Sequence, residues 1–105
     1  MKPARLRPLA EVDLVVTTQY DEAHGGESLA ERFFDAAATT LRAIERMPQS
    51  GSPEVGEACR VPGLRLRRVP KFPYAWYYFV GPDEVDVVRL LADSRDLTTI
   101  LGLDE

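Results

Sequence analysis

Between Gly26 and Pro48 apolar residues recur at three- and four-residue steps, Ala30, Phe33, Phe34, Ala37, Leu41, Ile44 and Met47, with Glu31, Arg32, Asp35, Arg42, Glu45 and Arg46 on the opposite side. That period predicts an amphipathic helix, and Pro48 stops it. Ser28 followed by Glu31 has the spacing of a capping box at its start. A helix with one wide apolar stripe must bury it against a second layer, which limits the chain to a few two-layer architectures.

Upstream, Gly25-Gly26 breaks the pattern. From Leu9 to Ala23, Ala10, Leu14, Thr17 and Tyr20 again follow a helical period. Val12 to Thr18 is rich in β-branched residues, but the acidic residues Glu11, Asp13, Asp21 and Glu22 bracket it without turn signals, so a helix is the better reading. Two helices joined at Gly25-Gly26 form an antiparallel hairpin. The preceding Lys2-Pro3-Ala4-Arg5-Leu6-Arg7-Pro8 is an edge strand at most, because its two prolines withhold ladder donors.

The covering layer comes from the second half. Residues 48 to 63 hold Pro48, Gly51, Pro53, Gly56, Pro62 and Gly63 and read as a long loop. Three strands are predicted after it: Leu64 to Val69, Tyr74 to Val80 and Val85 to Leu91, the last two joined by Gly81-Pro82-Asp83. The expected order is β-α-α-β-β-β, an α+β domain over residues 1 to 105 with a helical hairpin on one face of a small antiparallel sheet. A chain of 105 residues has room for one such core.

Charge is segregated along it. The net charge is −4, yet residues 58 to 82 contain Arg60, Arg65, Arg67, Arg68 and Lys71 and no carboxylate. The other 80 residues carry 8 basic and 17 acidic groups, or −9. Overall acidity argues against tight, salt-driven binding of nucleic acid by the whole chain, whereas the +5 segment builds a local positive field suited to an anionic partner. No apolar run approaches the ~20 residues of a membrane span. Lys2, Arg5 and Arg7 near the start are not followed by an apolar signal region. The single Cys59 makes neither an internal disulfide nor a thiolate metal cluster. A reducing cytoplasm, with no metal and no cofactor, is the expectation.

Several pieces together resemble the RelE/ParE superfamily of type II toxins, the plasmid stabilisation protein family. They are Ala10, Asp13, Leu14 and Tyr20; Ala30, Phe33, Leu41 and Ile44; Pro48 and Gly51 as a Pro-x-x-Gly loop; Gly63-Leu64-Arg65, Val69, Phe72-Pro73-Tyr74 and Tyr78; Val87, Val88, Arg89 and Leu90; and Arg95-Asp96. The resemblance implies the fold already reached from periodicity. It also implies a growth-inhibiting toxin neutralised by a cognate antitoxin whose chain wraps it. ParE-like members poison DNA gyrase; RelE-like members cleave mRNA on the ribosome without a metal; a degenerate, non-toxic homologue is the third alternative. Oligomeric state is not legible.

RNA cleavage through a 2′-hydroxyl needs a base, an acid and a cation on the phosphate. Arg65, Arg67 and Arg89 are the candidates for the cation, since a guanidinium grips phosphate bidentately. Many family ribonucleases carry His or Tyr at or after the last strand. Here that stretch reads Leu91-Ala92-Asp93-Ser94-Arg95, and no His or Tyr follows Tyr78. Glu54, Glu57 and Asp93 are the carboxylates left for a base, and nothing marks them out. This favours a ParE-like toxin. Arg65, Arg67, Arg68, Lys71 and Arg95 are the expected contacts to target or antitoxin. The rival reading of the arginines is a solvated edge strand that discourages aggregation. His24 reads as a solvated turn residue and Cys59 as a half-buried thiol. Phe72, Tyr74, Trp76, Tyr77, Tyr78 and Phe79 either stack bases or fill the core; parity puts Trp76 and Tyr78 on one face, Tyr77 and Phe79 on the other.

Overall fold

The computed structural model of the protein describes residues 1–92. Seven elements follow in order: β1 (Ala4–Leu6), α1 (Pro8–Arg46), a 3₁₀ turn (Pro48–Ser50), α2 (Glu54–Ala58), β2 (Arg65–Arg68), β3 (Tyr74–Val80) and β4 (Val85–Ala92). A straight helix of 39 residues would be about 58 Å long, yet the longest dimension of the molecule is 38 Å. The chain folds back at Gly26, whose φ of 83° and ψ of 176° interrupt the helix. Only glycine takes that conformation without a Cβ penalty. Gly26 therefore occupies the cap position, and Ser28 lies inside the first turn of the second limb with no side-chain hydrogen bond, instead of forming the expected capping box.

The strands pair in the order β1-β4-β3-β2. β2 with β3 and β3 with β4 are antiparallel, as expected, but β1 runs parallel to β4, so the sheet is mixed. The helical hairpin explains the difference. Its second limb ends beside the start of β1, where the Lys2 N–H donates to Glu45 O at 3.2 Å and the Ala4 N–H to Glu45 Oε2 at 2.6 Å. β2 thus leaves from the same end as β1, and two hairpin reversals give β4 that direction again. The loop expected from 48 to 63 contains two short helical pieces, the 3₁₀ turn and α2.

Both faces of the sheet are covered. Trp76, Tyr78, Val87 and Leu90 face the hairpin and pack with Ala10, Phe33, Ala37 and Ile44; the buried Trp76 Nε1–H donates to Ala37 O at 3.1 Å. Ala75, Tyr77 and Val88 face the other way and pack with Leu64, supported by Val55 and Val61 around α2. Trp76, Tyr77 and Tyr78 are fully buried. The aromatic run is core on both sides at these three positions, which removes them as a base-stacking platform. β4 is bulged against β3: Tyr77 pairs with Arg89 and Tyr78 with Val87, leaving Val88 extra. The bulge sends Val88 and Arg89 to the same side of the sheet, against strict alternation.

One core group is ill-matched. Asp21, on the inner side of the first limb, is 6% exposed, and its Oδ2 has no hydrogen-bond partner. Burial pushes its pKa up, and His24 opposes this only in part. A carboxyl whose folded-state pKa is raised stabilises the fold below the unfolded pKa, and that contribution disappears as pH rises through the folded value. Asp21→Asn is therefore expected to raise stability by about 1 kcal/mol at pH 7, with the gain shrinking in the acid range. Thermal melts of both proteins across pH 3 to 8 check this.

Candidate functional site

β2 lies at the outer edge of the sheet and carries three of the five charges of the basic segment. Its alternation places Arg65 and Arg67 on the side of Tyr78 and Trp76, their partners in register, and Leu66 and Arg68 on the side of Tyr77 and Ala75. The Leu66 N–H and C=O point outward and pair with Ser52 O and N at 3.0 and 2.8 Å, so the loop itself covers this edge at Leu66.

Arg65 and Arg67 are turned onto the 3₁₀ turn. Arg65 Nη1 donates to Gln49 O at 3.1 Å and Gly51 O at 2.7 Å, and Arg67 Nη1 donates to Ser50 Oγ. Beneath them the Tyr78 hydroxyl donates to Pro48 O at 2.8 Å and accepts from the Gly51 N–H at 2.9 Å. The Pro-x-x-Gly signature is thus a turn built to bond one buried tyrosine, with two arginines closing it from outside. Burial raises the Tyr78 pKa, an effect countered by the Gly51 N–H and by the two guanidinium groups. A buried phenol held neutral with both its lone pair and its proton engaged is not placed to act as a base.

Arg89 is elsewhere. It shares a row with Tyr77 and Leu66, on the face away from the hairpin, and its side chain reaches the edge of β4 that β1 leaves uncovered. There Nε and Nη2 donate to Asp13 Oδ2 and Oδ1 at 2.7 and 3.0 Å, and Asp13 Oδ2 also accepts the Leu90 N–H at 3.0 Å. The bonded carboxylate raises the Arg89 pKa further. Both side chains are largely buried, 17% and 13% exposed. Arg65 and Arg67 are therefore neighbours, while Arg89 stands on the opposite face as a clamp between α1 and β4.

Arg68, at the end of β2, is exposed, and so is Lys71 in the β2–β3 turn. Arg95 and Asp93 lie outside the described residues. Glu54 and Glu57 are exposed on α2. His24 ends the first limb rather than sitting in a turn; its Nδ1 bonds Tyr20 O at 2.8 Å and its ring stacks on Tyr20 at 4.0 Å. Cys59 is half-buried at the end of α2. Among the described residues no group of three His, Cys, Asp or Glu side chains is placed to hold a metal ion, and no helix is long and apolar enough to cross a membrane.

A helical hairpin on a four-stranded mixed sheet, with a basic outer strand braced by a Pro-x-x-Gly turn, defines a small toxin of the RelE/ParE type. The chain belongs to the ParE toxin family of type II toxin-antitoxin systems, parDE, whose model matches residues 4–97. It is accordingly the toxin component of such a module, with a cognate antitoxin as partner. The fold is similar to that of a chain from the chromosomal ParDE TA system of P. aeruginosa, with a TM-score of 0.76 and 17% identity over 90% of this chain and 98% of that one. No curated protein matches the sequence.

Proposed function

We propose that this toxin acts in the cytoplasm by binding a protein target, DNA gyrase in the first instance, and not by cutting RNA. The observation that carries the reading is the dispersal of the arginines a nuclease would need. Arg65 and Arg67 brace the 48–51 turn, and Arg89 is held by Asp13 on the other face. Three cations on two faces do not surround one scissile phosphate. Arg68 and Lys71, both exposed, are the proposed contacts to target or antitoxin, with Arg65 and Arg67 holding the 48–51 turn and Arg95 a further contact.

Induced expression without antitoxin is expected to arrest growth, and co-expression of the antitoxin to restore it. Purified toxin should inhibit gyrase-catalysed supercoiling of relaxed plasmid at molar excess. If supercoiling proceeds unchanged while primer extension on translated message reveals new 5′ ends, the ribosome-dependent nuclease replaces this reading.

A further inference from the structure

A cleft of about 540 Å³ opens between the second limb of α1 and the β2–β3 turn. Leu29, Ala36 and Phe72 supply apolar lining; Arg32 and Lys71 supply cations from the two opposing elements, and Asp35 is the one carboxylate. Arg32 and Lys71 are exposed, and neither has a carboxylate within ion-pair distance among the described residues; Arg32 makes a long bond, Nε to Ser28 O at 3.4 Å.

The turn that delivers Lys71 is unusual for its residue. The Phe72 N–H donates to Val69 O at 3.2 Å, closing a four-residue turn with Pro70 second and Lys71 third. Lys71 has φ 70°, the left-handed conformation that the third position of a type II turn requires and that glycine or asparagine ordinarily fills. A lysine held there at a conformational cost, with its charge unpaired beside an apolar cleft, is what a binding role produces and a purely structural turn does not need.

We infer that this cleft binds an acidic peptide segment that presents an apolar side chain between its carboxylates. Arg32 and Lys71 take the carboxylates from either wall, the apolar lining takes the side chain, and Asp35 accepts a backbone N–H. The same Asp35 repels a phosphate backbone, which has no N–H to offer, so a peptide fits better than a nucleic acid. The inference rests on the toxin reading in so far as the segment belongs to the antitoxin.

The test uses the full chain and a fluorescein-labelled octapeptide of alternating glutamate and leucine, read by anisotropy at low salt. Binding is expected to weaken at least tenfold in Arg32→Glu and in Lys71→Glu, to vanish for the glutamine-leucine peptide, and to be unchanged in Arg46→Glu, a charge-matched control on the far end of the helix. Amide shifts on titration should concentrate at Thr39, Lys71 and Phe72. Lys71→Gly should lose binding while keeping or raising the thermal midpoint, because glycine suits the turn; a merely structural lysine would lower stability without touching affinity. Equal binding by the cleft variants and wild type, equal weakening in Arg46→Glu, or equally good competition by a single-stranded RNA octamer overturns the inference. Failure of the wild-type chain to arrest growth while the peptide still binds defeats the toxin reading and leaves the cleft; arrest without peptide binding does the reverse.

Discussion

Asp13→Ala is expected to destabilise the protein by about 3 kcal/mol, because it breaks three bonds at once in a largely buried place. The guanidinium of Arg89 loses its bidentate carboxylate, and the Leu90 N–H loses its acceptor. β1 spans only Val85 to Val87 of β4, so the carboxylate of Asp13 does for the next stretch of that edge what a neighbouring strand would do. Its removal exposes a strand edge as well as weakening the fold, and increased aggregation should accompany the lower urea midpoint. The double variant Asp13→Leu with Arg89→Met should recover much of the loss, since an apolar pair leaves neither the Asp13 nor the Arg89 charge buried without the other, although the Leu90 N–H stays unmet. The exposed bidentate pair of Arg7 and Asp86 has similar geometry at 2.7 and 3.0 Å, but it is worth less than about 1 kcal/mol, because solvent screens both partners.

Gly51→Ala should cost about 2 to 3 kcal/mol for a steric reason. The backbone at Gly51, φ −72° and ψ 150°, is open to any residue. A Cβ there would stand 2.3 Å from the Tyr78 hydroxyl and 2.9 Å from two of its ring carbons. The ring is buried in the core and its hydroxyl is tied to Pro48 O, so the turn must give way instead, releasing the carbonyls that Arg65 grips. Tyr78→Phe keeps the space but strands the Gly51 N–H and the Pro48 carbonyl, for about 1 to 2 kcal/mol. Chemical denaturation separates the two, and the loss of protection at the Gly51 amide in hydrogen exchange reports on the turn itself.

The elements that local pattern specifies were legible. The period from Ala30 to Ile44, the Gly25-Gly26 break and the aromatic strand from Tyr74 each express a choice made within one turn or one pleat. Where the direction of β1 and the placement of Arg89 went beyond local pattern, a distant contact had intervened. The bulge at Val88 depends on how β4 meets β3, and it is what carries Arg89 off the face that Arg65 and Arg67 share. The direction of β1 depends on where the hairpin delivers the chain. Arg32 reads as one more solvated helix charge until the turn at Lys71 is folded across from it.

The sequence by itself determined the class of fold, the basic segment and the Pro-x-x-Gly signature, because amphipathic periods, turn residues and charge are written in neighbours. Only the tertiary structure decided what the arginines do. Arg65 is separated from its acceptor Gly51 by 14 residues, Tyr78 from Gly51 by 27, and Arg89 from Asp13 by 76. A guanidinium binds whichever acceptor packing brings within 3 Å, so its role follows from register and topology and is invisible in the order of residues.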